Sequence, residues 1–407
     1  MAAQAMQREA AFKPESSADG RPVVHAEVAG HGFTLFEESP PLMQAMVDDI
    51  RQAHERVWME TYIFADDAAG RAIADALADR ARAGVDVRLM IDAWGSFSTP
   101  RALLNRLREA GVQLHFFHAF GQALPGPRWL RLMNQRNHRK LLVIDDNIAY
   151  FGGMNIVDQS GIHSKAEARQ RHLPASAGWR DVHVRMVGPC QAQVAEICER
   201  LWNRVHHEHR KKAPRWPLEE MLRADHDSIF FFDSRPSLKN RRPHRVLVPL
   251  LKQARREIIV SMAYFIPVGR VLRELIRARR RGVRVKVIVP QQSDVKIVEW
   301  ATRHFYEYLL KRGIHIYERR DRMLHSKAMV IDGRWSVVGS CNLDPRSLRM
   351  NLEFLAVIHS PQMAAALKRV CYEEICASER VRLAHIRKHS RWQRMLNRLA
   401  WAMRDWL

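Results

Sequence analysis

LHSKAMVIDGRWSVVGSCN, residues 324–342, is the stretch from which the fold of this chain can be predicted. Its apolar runs lie on either side of Asp332-Gly333, a dipeptide typical of tight hairpin turns. A second stretch, NHRKLLVIDDNIAYFGGMN at 137–155, has the same length and the same order of polar and apolar residues. Because one pattern occurs twice, we expect the chain to contain two copies of one fold.

The segments around the two hairpins repeat as well. AIADALADRARAGVDVRLMID at 72–92 and VLRELIRARRRGVRVKVIVP at 271–290 each predict a helix, a helix-ending glycine and a strand. LLNRLREAGVQLHFF at 103–117 and FYEYLLKRGIHIYER at 305–319 have the same order. Alternating helices and strands predict an α/β protein built from two tandem α/β/α sandwich halves, related by pseudo-twofold symmetry.

The limits of the repeat divide the chain into five parts. The N-terminal residues are polar, and the segment HHEHRKKAPRWPLEE between the halves is basic and contains proline. Beyond about residue 362 a helical pattern continues without a counterpart in the first half. We therefore predict a disordered N-terminal tail at 1–28, a first half at 29–205, a linker at 206–225, a second half at 226–362 and a helical, basic, amphipathic tail at 363–407.

Composition limits the classes of function. Sixty-six Lys and Arg against 44 Asp and Glu leave a formal net charge of +22 over 407 residues, which favours an anionic partner, either nucleic acid or an acidic membrane surface. The five cysteines are scattered, so we expect neither a disulfide framework nor a cysteine metal site. The sequence has no long apolar run and no signal-peptide pattern; any membrane contact is therefore predicted to be peripheral.

Each hairpin opens with a histidine and a lysine on one face. Residues two apart in a strand point to the same side, so His138 lies with Lys140, and His325 lies with Lys327. A neutral histidine is nucleophilic, and lysine donates hydrogen bonds to anionic oxygens. The two pairs therefore predict a site for phosphoryl transfer.

Two aspartates, Asp145 and Asp332, follow their histidines by seven residues. This odd separation places them on the opposite face of a regular strand. They also stand at the start of the turn, where aspartate accepts hydrogen bonds from backbone N–H groups. The strand pattern thus predicts that both aspartates brace the hairpins.

Other polar residues are expected to return to the histidines. Asn155 and Asn342 each follow their histidine by seventeen residues, and a hairpin of equal length brings each one back beside the strand start. Ser340 lies in the same small-residue corner, where the backbone can approach a ligand. Asp181 and Glu353, on the strand after each hairpin, are the carboxylates available to hold the second nitrogen of a histidine.

The paired motifs resemble the phospholipase D superfamily, over nearly all of residues 30–360. The resemblance is carried by H-R-K-L-L-V-I-D at 138–145 and H-S-K-A-M-V-I-D at 325–332. GSCNLDPRSLRMNLEF at 339–354 and WRDVHVRMVGP at 179–189 are similar to bacterial cardiolipin synthases, and the lack of predicted transmembrane helices is similar to their soluble B-type branch. The matching residues of the longer segment are Ser340, Asn342, Asp344, Arg346, Ser347, Asn351 and Glu353.

The resemblance implies a phosphatidyltransferase that needs no metal and no cofactor. One histidine, expected to be His138, attacks a phosphodiester and forms a phosphohistidine, while the other acts as general acid and then as base. In a cardiolipin synthase, a phosphatidyl group passes between two phosphatidylglycerols and glycerol is released, at the cytoplasmic face of the bacterial cell membrane. The implied catalytic residues are His138, Lys140, Asp145, His325, Lys327 and Asp332, and the implied phosphate-binding or orienting residues are Asn155, Asn342, Asp181, Glu353 and Ser340.

The resemblance and the residue patterns differ in two places. Asp145 and Asp332 belong to the implied catalytic set, whereas the strand pattern predicts a structural role for them. Gly153 stands where many members of the superfamily have serine. This glycine removes one hydroxyl donor, so the two half-sites are not expected to be equivalent.

The motifs alone do not name the substrate, because the same centre serves hydrolytic phospholipases and nucleases. We expect an anionic phospholipid substrate, a peripheral membrane surface and no obligatory nucleic acid. A phospholipase D that uses water as acceptor and a nuclease acting on DNA or RNA remain alternatives. In the segment 120–137, residues Trp129, Leu130, Leu132 and Met133 predict an exposed apolar loop before the catalytic strand, or else a loop packed on the core.

The C-terminal segment SRWQRMLNRLAWAMRDWL also bears on the partner. Arg391, Arg394 and Arg398 flank its apolar face, a pattern typical of a helix in a membrane interface. A helix packed on the core has the same pattern, but Trp401 falls on the polar face, which core packing does not explain. The residues that share the apolar face at helical spacing are Trp392, Met395, Leu396, Leu399, Met403 and Trp406.

Overall fold

The structure is a computed structural model of the chain. It describes residues 15–16, 22–118, 135–159, 178–206, 214–235, 238, 241–387 and 390–404. Most of the loop predicted at 120–137, with its four apolar residues, lies outside the described residues, as does Trp406. Within the described part, no helix is long and apolar enough to cross a membrane.

Among the described residues of the first half, nine strands form one sheet, in the order β1-β2-β3-β9-β8-β7-β4-β5-β6. Strands β4, β5 and β6 are parallel, and the remaining neighbours are antiparallel. The strands are β1 Glu15–Ser16, β2 Pro22–Val28, β3 His31–Phe36, β4 Arg56–Thr61, β5 Asp86–Asp92, β6 Gln113–Phe117, β7 Leu141–Ile144, β8 Ile148–Gly152 and β9 His183–Val187.

In the part of the second half that the structure describes, eight strands form the other sheet, in the order β10-β16-β15-β14-β11-β12-β13-β17. Strands β11, β12 and β13 are parallel, and the other pairs are antiparallel. The strands are β10 Ser228–Asp233, β11 Glu257–Met262, β12 Arg284–Pro290, β13 His315–Arg319, β14 Lys327–Ile331, β15 Trp335–Gly339, β16 Phe354–His359 and β17 Ser378–Arg380.

The two sheets confirm the internal duplication. The run β3-β9-β8-β7-β4-β5-β6 has the same order and directions as β10-β16-β15-β14-β11-β12-β13. Strands β1 and β2 extend one end of the first sheet, and β17 extends the opposite end of the second. Each quoted hairpin forms the pair of strands predicted for it, β7-β8 or β14-β15.

The helices cover the sheets and connect the parallel strands. In the first half they are α1 Ser39–Arg51, α2 Ala68–Arg82, α3 Arg101–Glu109 and α4 Gln191–Val205, and α5 Leu218–Arg223 lies in the linker. In the second half they are α6 His244–Gln253, α7 Gly269–Arg280, α8 Lys296–His304, α9 Tyr306–Leu310, α10 Pro345–Arg349 and α11 Pro361–Cys376. The C-terminal helices are α12 Leu383–Arg387 and α13 Arg391–Ala402.

One apolar cluster joins the two halves. It contains Val194 of α4 and Leu367 of α11 together with inward residues of both sheets. The rings of Phe151, Phe231 and Phe354 meet at its centre, with centroids 5.5 to 5.7 Å apart. The other face of each sheet packs against the outer helices of its own half. Two α/β/α sandwiches therefore pack face to face. This packing buries the inward faces of both sheets with α4 and α11, and it brings the two β-hairpins together.

Two predicted boundaries were wrong. Residues 22–28 were assigned to a disordered tail, but Val24, Ala26 and Val28 alternate and bury one face of β2 against the neighbouring elements. The segment 363–376 was assigned to a C-terminal tail, but it belongs to α11, which packs between the sheets as α4 does. The first error arose because β2 lies outside the repeat, and the second because the repeat was ended too early.

Candidate active site between the two halves

The two histidines lie at the seam between the halves, each just before a strand of its own hairpin. The backbone N–H of His138 donates to the carbonyl of Leu352, at 2.9 Å, in the second half. The backbone N–H of His325 donates to the carbonyl of Arg180, at 2.6 Å, in the first half. The exchange is reciprocal, so each half holds the catalytic strand start of the other.

The carboxylates cross the seam in the same way. Nδ1 of His138 lies 3.1 Å from Oε2 of Glu353 and 3.1 Å from the carbonyl oxygen of Ser340. Nδ1 of His325 lies 2.7 Å from Oδ2 of Asp181. These partners only accept hydrogen bonds, so each Nδ1 carries the proton and each Nε2 carries the lone pair. The sequence did not show that each carboxylate serves the histidine of the opposite half.

The two lysines are buried beside their histidines but make different contacts. Nζ of Lys140 donates to the carbonyl of His138 at 2.8 Å. Nζ of Lys327 donates to the carbonyl of His325, and it lies 2.8 Å from the ring atom Nδ1 and 3.1 Å from Nε2. It is also 4.0 Å from Oδ2 of Asp181. The second half-site thus contains a closed triad of ammonium, imidazole and carboxylate.

Burial sets the protonation of these groups. It lowers the pKa of His138 to about 4, and the positive charge of Lys140 acts in the same direction. Burial and the charge of Lys327 likewise lower the pKa of His325. Burial alone raises the pKa of Asp181, but Lys327 and His325 outweigh it, and the net pKa lies below the ordinary value. Both imidazoles are therefore neutral near pH 7, as a nucleophile or general base must be.

Burial also lowers the pKa of Lys140, to about 7. A phosphodiester next to this ammonium favours its charged form, because an opposite charge within a few ångströms stabilises it. The site is therefore matched to an anionic substrate.

A cavity of about 850 Å³ opens between the halves, and both histidines line it. Asn155 and Asn342 also line it, at the positions that the equal hairpin lengths predicted. Oδ1 of Asn155 accepts a hydrogen bond from the backbone N–H of Ile63 at 3.3 Å. The amide NH₂ of Asn155 therefore points away from Ile63. The structure thus brings together the histidines, asparagines, lysines and carboxylates that were named from the sequence.

The cavity wall carries charge beyond the motifs. The lining includes three cations and three aspartates: Arg136, Lys296, Arg346, Asp158, Asp294 and Asp344. The guanidinium of Arg136 stacks over the ring of Trp94, 5.5 Å from its centroid. Burial and the positive charge of nearby Arg346 lower the pKa of Arg136. The three cations on the wall are donors that can pair with the oxygens of a phosphate-bearing ligand.

The two motif aspartates do not reach the site, which corrects their place among the implied catalytic residues. The carboxylate of Asp145 accepts from the backbone N–H groups of Glu55 and Arg56, at 2.8 and 3.0 Å, at the far end of β7 from His138. Asp332 accepts in the same way from the backbone of Arg255, Arg256 and Glu257, at 2.7 to 2.9 Å. Both aspartates have positive φ, 45° and 55°. They brace the hairpins, as the strand pattern predicted.

The glycine that departs from the superfamily pattern has a steric cause. A Cβ atom on Gly153 would overlap the carboxylate of Asp181. In the other copy the hydroxyl of Ser340 donates to Glu353 at 2.5 Å and accepts from the N–H of Phe354 at 3.1 Å. The pairs Gly153–Asp181 and Ser340–Glu353 are therefore alternative ways of filling one position beside a histidine.

Three aromatic residues near the histidines were missed from the sequence. The ring of Tyr62 lies 5.3 Å from that of His138, and Trp179 and Tyr264 lie 5.3 and 6.4 Å from that of His325. Both tyrosines follow a parallel strand, β4 or β11, at the carboxyl edge where ligand sites of such sheets form. That position was the signal that could have predicted them.

The polar residues of the 339–354 segment line the cavity and hold one another in place, as Asp344, Ser347 and Asn351 show. Asp344 caps α10 by accepting from the N–H of Ser347 at 2.7 Å. Burial and the charge of Glu353 raise the pKa of Asp344 to about 7. The amide of Asn351 donates to Oε1 of Glu353 at 3.3 Å. No group of three or more His, Cys, Asp or Glu within the described ranges is placed to hold a metal ion.

Comparison with known proteins gives consistent results. The family model described as cardiolipin synthase, PLD-like domain, matches residues 46–169 and 247–373. The chain is 33% identical over 343 residues to cardiolipin synthase B of Salmonella typhimurium. The match covers 81% of this chain and 77% of that protein. It is 31% identical over 382 residues to cardiolipin synthase A of Serratia proteamaculans, covering 91% of this chain and 75% of that protein.

A solved structure has the same fold. The phosphatidylserine synthase of Haemophilus influenzae superposes with a TM-score of 0.64 at 15% identity, and the match covers 94% of each chain. At this identity the likeness shows the fold alone.

Proposed function

The chain belongs to the cardiolipin synthase family with phospholipase D-like domains, and from this premise we propose how its residues carry out phosphatidyl transfer. It is a phosphatidyltransferase of the phospholipase D superfamily. The reaction moves a phosphatidyl group from one phosphatidylglycerol to another and releases glycerol. The single observation that supports this mechanism best is the crossed arrangement, in which both histidines line one cavity and each is held by a carboxylate of the other half.

In the first step, Nε2 of one histidine attacks the donor phosphorus. A phosphorus–nitrogen bond forms, and the phosphorus–oxygen bond to glycerol breaks. The other histidine is neutral without substrate but enters this step protonated, because the bound phosphodiester anion favours its charged form, and it gives its proton to the leaving glycerol oxygen. Lys140, Lys327, Asn155 and Asn342 stabilise the charge that develops on the phosphoryl oxygens.

In the second step, the histidine that acted as acid acts as base. The neutral imidazole removes the proton from a hydroxyl of the acceptor phosphatidylglycerol, and that oxygen attacks phosphorus. The phosphorus–nitrogen bond breaks, and the free histidine and cardiolipin result. Glu353 and Asp181 hold the two Nδ1–H groups throughout, so that each ring presents Nε2.

His138 is the proposed nucleophile, and His325 the proposed acid and base. The superfamily resemblance favours this order. The contact of Lys327 with Nε2 of His325 supports it as well, since an adjacent ammonium makes the imidazolium a stronger acid toward the leaving oxygen.

We place the reaction at the surface of the bacterial cell membrane, on its cytoplasmic face, with the enzyme bound peripherally. The substrate and product are membrane lipids, and the net charge of +22 is complementary to anionic headgroups.

The experiment that tests the function is a product assay. Purified protein is given phosphatidylglycerol dispersed in detergent, in the presence of a chelator, and the lipids and the released glycerol are measured. We expect cardiolipin and glycerol in equal amounts, and neither product from the His138→Ala variant. Phosphatidic acid as the main product would identify a hydrolytic phospholipase D, and the proposed acceptor would then be wrong.

A further inference from the structure

The C-terminal helix α13 packs on the protein through its polar side. Trp401 lies against His304 and Phe305 at the end of α8, with ring centroids 5.1 and 6.2 Å apart. Asn397 and Ala400, on the same side of the helix, are buried. Trp401, which the sequence places on the polar face, is therefore the residue that anchors the helix.

The apolar side of α13 consequently faces outward. Four residues at spacings of three and four lie on one face of the helix, and each is exposed: Trp392 by 64%, Met395 by 41%, Leu399 by 55% and Met403 by 50%. We call these four residues the tail stripe. Large apolar side chains that share one exposed face mark a surface that binds another apolar body.

The charge of α13 indicates which body that is. Arg394 and Arg398 are exposed beside the tail stripe, and residues 390–404 contain no Asp or Glu. Two copies of this helix packed stripe to stripe would bring arginines against arginines, which disfavours self-association. An anionic bilayer instead offers acyl chains to the stripe and phosphates to the arginines.

The position of α13 connects the tail stripe to the active site. The helix packs along α8, and Lys296 and Val298 of α8 line the catalytic cavity. Two exposed aromatic residues, Trp94 and Phe97, lie on the loop after β5, and Trp94 also lines the cavity. A membrane contacted by α13 is thus close to the cavity from which the lipid must be taken.

We infer that the tail stripe and its arginines form the membrane-docking surface, in which α13 lies flat in the headgroup region of an anionic bilayer while Trp401 keeps it attached to the catalytic body. The inference rests on the proposed function in that the bilayer supplies the lipid substrate. It differs from membrane binding by net charge alone, because it assigns the contact to one helix face.

The test is vesicle binding by the full chain. The double variant Trp392→Ser with Leu399→Ser changes two exposed residues, and Tyr308→Ser on α9, itself 41% exposed, is the matched control. Binding is measured by sedimentation with vesicles of phosphatidylglycerol and phosphatidylcholine. Each substitution removes an apolar side chain that is partly buried in the bilayer, so each should weaken the vesicle affinity of the double variant by about tenfold or more. The affinity of the control should be unchanged. Trp401→Ala should also weaken binding, because it releases the helix from α8.

Two further measurements keep the inference separate from the proposed function. Turnover of a short-chain, soluble phosphatidylglycerol should be the same in the double variant and the original protein. Unchanged vesicle binding by the double variant would overturn the inference, and so would light scattering that shows a dimer lost in this variant, since the stripe would then be an interface between copies. Failure of the original protein to make cardiolipin from the soluble lipid would instead overturn the proposed function.

Discussion

The two half-sites have the same backbone but different supporting groups. The first pairs His138 with the long carboxylate Glu353, which Ser340 also contacts. The second pairs His325 with the short carboxylate Asp181, which fills the space beside Gly153. The difference shows that the duplicated fold gives the two histidines equivalent backbone positions. The side chains around each imidazole then determine which histidine is the nucleophile and which is the acid.

The lysines extend this contrast. Lys140 donates to the backbone carbonyl of His138 and lies over the ring of Tyr62, whereas Lys327 contacts the ring of His325 and lies near Asp181. Both ammonium groups lower the pKa of their histidine, but only Lys327 approaches the ring nitrogens themselves. This favours His325 as the group that exchanges protons with the leaving and entering alcohols.

The largest effect is expected from replacing the histidines themselves. His138→Ala removes the nucleophile and should lower turnover by about ten-thousand-fold or more, whereas His325→Ala removes the acid and should cost about a hundred- to ten-thousand-fold. A phosphatidyl ester of p-nitrophenol distinguishes the roles, because this leaving group needs no proton. The burst of nitrophenol in the first turnover should be restored largely in His325→Ala and not at all in His138→Ala, while later turnovers of His325→Ala stay slow because the base of the second step is missing. The opposite pattern would reverse the two roles.

A smaller effect is expected from the carboxylates, each acting on the histidine of the opposite half. Glu353→Gln and Asp181→Asn should each reduce turnover by about ten- to a hundredfold, since they only orient and polarise an imidazole. In the first-turnover burst with the p-nitrophenol ester, the defect of Asp181→Asn should nearly vanish and that of Glu353→Gln should remain. Equal defects on both substrates would contradict the crossed assignment.

The glycine position provides a direct exchange between the half-sites. Gly153→Ser should reduce turnover and lower the melting temperature, because its Cβ overlaps the Asp181 carboxylate. Ser340→Gly should be milder, since it removes a hydroxyl that bonds Glu353 and opens only a small gap. Melting curves and turnover of the two variants make the comparison. A Gly153→Ser protein as stable and active as the original would show that the half-sites are interchangeable.

The smallest effect on catalysis is expected at the turn aspartates. Asp145→Ala and Asp332→Ala should each lower stability by about 1–3 kcal/mol through lost acceptors for backbone N–H groups, with little change in turnover per folded molecule. Asn in place of either aspartate keeps an acceptor and tolerates positive φ, and it should recover most of the stability.

The stability contributed by Asp145 should depend on pH. Burial raises its pKa, but the N–H groups of Arg56, Glu55 and His54 outweigh burial, and the folded-state pKa is lowered. Its contribution is therefore present above the unfolded-state pKa and is lost as the pH falls through the folded-state value. Melting temperatures of the original and the Asp145→Ala protein should converge in acid. A difference that is constant with pH would contradict a charged brace.

Much of the fold and half of the site could be predicted from local patterns. The strand period placed His138 with Lys140 on one face and Asp145 on the other, and hairpin length returned Asn155 to the site. These are properties of single hairpins, which sequence alone determines.

What could not be predicted depends on how the halves pack. Asp181 and His325 are 144 positions apart, and nothing local shows that they meet. The outward direction of the tail stripe depends on the contact of Trp401 with His304, since an amphipathic pattern does not show which face finds a partner. The strand β2 had a local signal, the alternation of Val24, Ala26 and Val28, which the polar N-terminus concealed.

The most direct test of the central claim is the stoichiometry of the covalent intermediate. The claim is that the two halves form one site in which only one histidine is nucleophilic. Protein mixed with labelled phosphatidylglycerol is quenched in acid, and the label is counted per chain and located by peptide mapping. The account predicts at most one phosphatidyl group per chain, carried by His138. Label on both histidines, or more than one group per chain, would show two independent half-sites and contradict it.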